Sequence, residues 1–229
     1  MTLSEDLRQA TAATWDAAVG HRFVEEIWRG AVPPAALTTY LVQDNQFLDA
    51  FVALLGATVA SADRAEPRMV HARQLGVLAG PENDFFARAL DALDVPVEER
   101  SAPQLLPATA GFLDLMHAAR RSADYPRCLA VLLVAEWLYL DWATRPTATP
   151  PTEPVQREWI ELHRGPAFQR WVTFLRSEFD RVTAGLAGAA REVVTADFTR
   201  AVELELAFFR RGVRAVTQAK TGCNTDAIR

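Results

Sequence analysis

The stretch 132-LLVAEWLYLDWA-143 is an apolar run that carries a single glutamate in its first half. Read as a helix, it sets Glu136 one turn before Tyr139 and Leu140, because positions three and four apart share a face. An ionised carboxylate among apolar groups is costly unless it is paired, hydrogen-bonded or protonated. Glu136 is therefore either a satisfied structural acid or part of a site.

The helical reading extends outward in both directions. Ala, Leu, Glu and Arg are abundant, and alternating β-branched runs are missing. Ser4, followed by Glu5 and Asp6, reads as an N-cap with acids in the first turn. A helix over about 4–19 is broken by Gly20, and a short one over 22–29 by Gly30. Pro33-Pro34 opens a long helix over about 35–61. Further helices are predicted over 67–78, 81–93, 109–122 and 125–144. The proline-rich loop RPTATPPTEP follows at 145–154. Helices over 155–163, 165–186 and 196–218 complete the pattern, with 219–229 as a flexible tail. The expectation is an all-α, single-domain helical bundle over 1–218, with no internal repeats.

Composition narrows the function. Half of the 229 residues are hydrophobic, enough for a substantial core. The 24 Lys+Arg against 29 Asp+Glu, with no basic block, argue against nucleic acid as a partner. No signal-peptide pattern opens the chain and no apolar run is long enough to span a membrane, so the expected location is cytoplasmic. Cys128 and Cys223 have neither metal nor disulfide spacing.

Three helices place acids among aromatics. In 40-YLVQDNQFLDAF-51, Asp44 lies one turn from Tyr40, Phe47 and Leu48. Glu136 and Tyr139 form the second group. In 202-VELELAFFRR-211, Glu205 lies one turn before Phe208 and Phe209. Burial of such a carboxyl raises its pKa, as a general acid near neutral pH requires. The plain alternative is a solvated amphipathic edge, with Glu203 or Arg210 drawing Glu205 to water, or an arginine pairing with Glu136. No phosphate-binding glycine loop or nucleophile-elbow serine is present. His21, His71, His117 and His163 are dispersed and none forms the Glu-x-x-His pair of a di-iron bundle, so no metal is expected. His163, in WIELHRGPAF, is either a surface residue or a pocket residue.

The run 21-HRFVEEIWRGAVPPAALTTYLVQD-44 resembles the N-terminal signature of the TenA family. LLVAEWLY is similar to that family's central helix, WIELHRGPAF to its Trp-Ile-x-x-Tyr segment, and ELAFF to its Glu-Leu-x-Phe-Trp segment. The resemblance spans about 15–212. It implies a haem-oxygenase-like all-α fold and hydrolysis of C–N bonds on the thiamin pyrimidine in thiamin salvage. It also implies no metal or organic cofactor and a homo-oligomer, a tetramer or dimer. By position it implies that Asp44 holds the aminopyrimidine ring, Phe47 stacks on it, Tyr139 lies beside the reacting carbon, and Glu205 serves as general acid and base.

Three positions depart from the pattern. Ala135 stands where the family has its nucleophilic cysteine, and Phe112 and His163 stand where it has tyrosines. Cys128, seven residues away, lies about 10 Å from Ala135 along a helix and does not replace the thiol. The resemblance then points to the branch that uses a glutamate, with Glu136 beside Ala135 as its catalytic acid and aminopyrimidine or its N-formyl derivative as substrate. Two other readings stand beside this one. One is a PQQC-like oxidase, toward which His163 points. The other is a non-catalytic module that binds a pyrimidine or a protein.

Overall fold

The structure, a computed structural model, describes residues 2–145 and 148–222, with 81–83 and 211–222 described by backbone alone. Among the described residues it is all-α. The helices in chain order are α1 (Leu3–Ala10), α2 (Ala12–Val19), α3 (Arg22–Trp28), α4 (Pro34–Asn45), α5 (Phe47–Ser61) and α6 (Ala65–Val77). A π-helical turn, Leu78–Glu82, leads into α7 (Asn83–Ala92). There follow α8 (Val97–Ser101), α9 (Pro107–Ser122), α10 (Tyr125–Ala143), α11 (Pro154–Leu162), α12 (Pro166–Thr183) and α13 (Gly188–Gly222).

Helix α10 is the axis of the fold. Its residues 128–134 and 136–139 are all buried, so it is covered on every side, as an all-round apolar helix must be. Helices α12, α13, α5, α9 and α2 pack on it. Local chemistry starts several of these helices. Proline occupies the first turn of α4, α9, α10, α11 and α12. Asp124 caps α10 by accepting from the Arg127 amide, and Glu153 caps α11 by accepting from those of Val155 and Gln156. Helix α9 lies so close to α13 that a Cβ on Gly111 would come within 2.9 Å of Leu204 Cδ2.

The structure departs from the sequence-based expectation at six places. The helix expected over 35–61 is two helices, parted at Gln46. Its amide nitrogen donates to the carbonyls of Val42 and Arg100, holding the bend. The helix expected over 4–19 is parted at Thr11, whose hydroxyl donates to the Leu7 carbonyl at 2.8 Å. The N-cap of α1 is Thr2, in a capping box with Glu5. Ser4 is instead buried and holds Asp180 of α12 through its amide (2.9 Å) and hydroxyl (2.8 Å). The five-residue α8 was not foreseen, being one turn with no buried face to create a period. Helix α13 begins at Gly188, two turns earlier than expected; the low helical propensity of Val193, Val194 and Thr195 hid its first turns in the sequence. It runs to Gly222, four residues past the expected end, and Cys223 lies outside the described residues.

Candidate functional site

A cavity of about 80 Å³ opens beside α10. That is room for several waters. The break at Gln46 shapes one wall, since Asp44 lies in the last turn of α4 and Phe47, Leu48 and Phe51 in the first turns of α5. Phe112 and Met116 come from α9, and Ala135, Glu136 and Tyr139 from α10. Phe86 of α7, Trp159 of α11, His163 and Glu205 of α13 close it. The eight residues singled out from sequence therefore meet at one cavity: Asp44, Phe47, Phe112, Ala135, Glu136, Tyr139, His163 and Glu205.

Five lining residues were missed. Phe51, Met116 and Trp159 lie four residues from Phe47, Phe112 and His163, and Leu48 four from Asp44, so i,i+4 spacing carried a signal for them. Phe86 carried none, because only the folding of α7 against α4 brings it there.

Three carboxyls share this space, each nearly excluded from solvent: Asp44 (7% exposed), Glu136 (7%) and Glu205 (5%). Glu205 faces inward, while Glu203 is on the outer face and pairs with Arg200. Burial, and then the negative charge of Asp44, push the Glu205 carboxyl well above the usual carboxylate range. Glu205 is thus protonated near neutral pH. Glu136 reaches both the cavity and α12, where Trp171 Nε1 donates to its Oε1 at 2.8 Å.

A hydrogen-bonded chain ends at Asp44. Trp159 Nε1 donates to the Tyr40 hydroxyl at 3.2 Å. The Tyr40 and Tyr139 hydroxyls lie 3.0 Å apart, and Tyr139 directs its hydroxyl at Asp44 Oδ1 at 3.5 Å. With Tyr139 donating to Asp44, Tyr40 is the donor between the two tyrosines. Burial and the charge of Asp44 hold both phenols well above their ordinary pKa, so they remain protonated donors.

His163 is buried at the end of α11. Its Nδ1 lies 2.8 Å from the Trp159 carbonyl. A carbonyl only accepts, so Nδ1 carries the hydrogen. The imidazole sits among the rings of Trp159 (4.4 Å), Tyr139 (4.9 Å) and Phe168 (5.2 Å). Burial lowers its pKa to about 4, which keeps it neutral near pH 7. Phe47, also in the cavity wall, packs on Phe112 at 5.5 Å and on Phe208 at 5.2 Å.

The remaining candidates lie elsewhere. Cys128 is wholly buried, and burial pushes its thiol to about 12, which leaves it unreactive. His71 does not line the cavity and bonds through Tyr125 to Glu178 and Arg181. Among the described residues no group of three His, Cys, Asp or Glu could hold a metal ion. No described helix is long and apolar enough to cross a membrane. The arrangement offers a protonated acid, two further buried carboxyl groups and aromatic walls suited to a small planar ligand.

The TENA/THI-4/PQQC family profile matches residues 8–215. The chain is similar to the aminopyrimidine aminohydrolase of Halalkalibacterium halodurans, with 19% identity over 91% of this chain and 94% of that one. Its fold is similar to that of a TenA family transcription regulator from a Silicibacter species (TM-score 0.81, 22% identity, 91% of this chain and 95% of that one). It is also similar to a domain of unknown function with a heme oxygenase-like fold from Shewanella denitrificans (TM-score 0.69, 13% identity, 100% and 99% covered). The chain belongs to the TENA/THI-4/PQQC family, and its fold is haem-oxygenase-like.

Proposed function

We propose that this chain hydrolyses a C–N bond of a thiamin-derived pyrimidine, with carboxyls doing the work of the absent thiol. The substrate is aminopyrimidine, a methylpyrimidine with a ring amino group and an aminomethyl arm, or its N-formyl derivative. The observation that carries this reading is the buried, protonated Glu205 beside Asp44 in one aromatic-walled cavity. The aminopyrimidine aminohydrolase similarity supports the reaction class.

In this reading Asp44, oriented by Tyr139, accepts from the ring amino group and favours electron release toward the arm. The ring lies on Phe47. Glu205 gives its proton to the arm nitrogen as the bond from carbon to nitrogen breaks, so that the nitrogen leaves as neutral amine. Water adds to the arm carbon, and Glu136 takes the proton that water loses. The products are hydroxypyrimidine and ammonia, or formamide from the N-formyl substrate. A proton passing from Glu136 to Glu205 restores the starting state. Two neighbouring carboxyls that share one proton supply both acid and base near neutral pH. Ala135 leaves no nucleophile for a covalent intermediate at its position, so water attacks directly.

The test is incubation of the purified protein with aminopyrimidine, formylaminopyrimidine and thiamin separately, with products followed by mass spectrometry. Hydroxypyrimidine released by the wild type and lost in Glu205→Gln and Glu136→Gln is the expected result. No product from any substrate would remove the hydrolase reading. Oxygen consumption in its place would select an oxidase, and tight binding without turnover a binding module.

A further inference from the structure

The polar atoms of the site are accounted for by the mechanism above, except one. His163 uses Nδ1–H to cap the Trp159 carbonyl at the end of α11. That bond explains the residue's place in the fold but uses only one edge of the ring. In a neutral imidazole with hydrogen on Nδ1, Nε2 is a lone-pair acceptor that cannot donate. Among the described residues no group bonds this nitrogen. His163 lines the cavity, and Nε2 is on the edge of the ring away from the Trp159 carbonyl. The bond from Nδ1 to the Trp159 carbonyl fixes the ring's orientation, and the rings of Trp159, Tyr139 and Phe168 surround it.

We propose that His163 is a specificity residue, whose Nε2 accepts a hydrogen bond from an N–H on the ligand's arm. It thereby selects pyrimidines whose arm nitrogen carries hydrogen over those whose arm nitrogen carries none. This rests on the reading that the site binds thiamin-derived pyrimidines. Tyr139, beside the reacting carbon in that reading, is a ring neighbour of His163 at 4.9 Å, so the arm lies within the imidazole's reach. Aminopyrimidine and formylaminopyrimidine both carry hydrogen on the arm nitrogen. In thiamin that nitrogen belongs to the thiazolium ring, is bonded to three carbons and has no hydrogen. Thiamin therefore leaves a buried acceptor unsatisfied, a penalty the other two avoid.

The experiment measures binding by calorimetry in the Glu205→Gln background, so that the ligand survives the titration. The probes are aminopyrimidine and the same pyrimidine with a plain methyl in place of its arm. His163→Phe keeps a flat ring and deletes the acceptor. We expect aminopyrimidine to bind roughly 10- to 100-fold more weakly in this variant. The methyl compound should change by less than about threefold, because it offers no N–H to lose. Equal weakening of both probes, or no change in either, would overturn the proposal and leave His163 as packing alone. Thermal melting checks that the variant folds. If it does not, His163→Met carries the same two-probe comparison. A Glu205→Gln protein with His163 intact that binds neither probe removes the pyrimidine reading, and this assignment with it. Binding of both, with an unchanged ratio in the His163 variants, removes this assignment alone.

Discussion

Trp171 of α12 donates its indole N–H to Glu136 Oε1 of α10 at 2.8 Å, and so ties a cavity carboxyl to a helix that contributes no side chain to the cavity wall. The same indole packs edge-on to His71 at 5.7 Å. His71 in turn meets Tyr125, which donates to Glu178 at 2.8 Å. Glu136 is thus set in place from behind the site by a continuous polar and aromatic layer.

Trp171→Phe removes that donor while keeping most of the ring volume. Expected outcomes are a destabilisation of ~1–3 kcal/mol in urea melts and a fall in kcat larger than any rise in KM. An unchanged kcat with the same stability loss would show that the indole serves the fold only.

Glu205→Gln leaves the shape of the site intact and removes its proton carrier. Turnover is expected to fall by roughly 10²- to 10⁴-fold, the range typical of a lost general acid. Glu205 also bears on stability. Its carboxyl stays protonated in the fold above pH 4.5, where the unfolded chain has already released its proton. That contribution is complete below about pH 4.5 and is lost as pH rises. The variant should therefore show a flatter stability curve above pH 5, measured by urea melts across the range.

Two buried histidines act in the opposite sense on the acid side. Burial holds both His71 and His163 at about 4, below the ordinary 6.5. Below pH 6.5 the unfolded chain takes up protons that the folded chain refuses, so stability drops until about pH 4. Each histidine accounts for ~3 kcal/mol of that loss. Urea melts at pH 7 and pH 4.5 should show it, and His163→Phe should remove about half of the histidine share.

Gly111→Ala tests the closeness of α9 and α13. The new methyl would lie 2.9 Å from Leu204 Cδ2, and Leu204 is itself buried next to Glu205. A destabilisation of ~1–3 kcal/mol is expected from overpacking, with a loss of turnover because the backbone that carries Glu205 must shift. Full activity at wild-type stability would show that Leu204 swings aside freely.

Sequence alone determined the helical class, most of the helix starts and eight of the residues that line the cavity. Prolines at helix openings, an unbroken apolar run at α10 and acids spaced one turn from aromatics are local features, and local features survive reading in one dimension. Ala135 and His163 were visible as departures from a familiar pattern. What they face was not.

Tertiary structure decided the rest. Whether Glu205 faces the core or water depends on which side of α13 is covered. Helix packing settles that, burying Glu205 and leaving Glu203 outside with Arg200. The bend at Gln46 depends on the Arg100 carbonyl, 54 residues away along the chain. The bond from Trp171 to Glu136 spans 35 residues, and the Tyr40–Tyr139 contact spans 99. The pattern of a helix shows which residues share a face. Which partner that face meets, and hence which carboxyl keeps its proton and which imidazole nitrogen stays bare, is set by desolvation and hydrogen bonding between segments brought together only on folding.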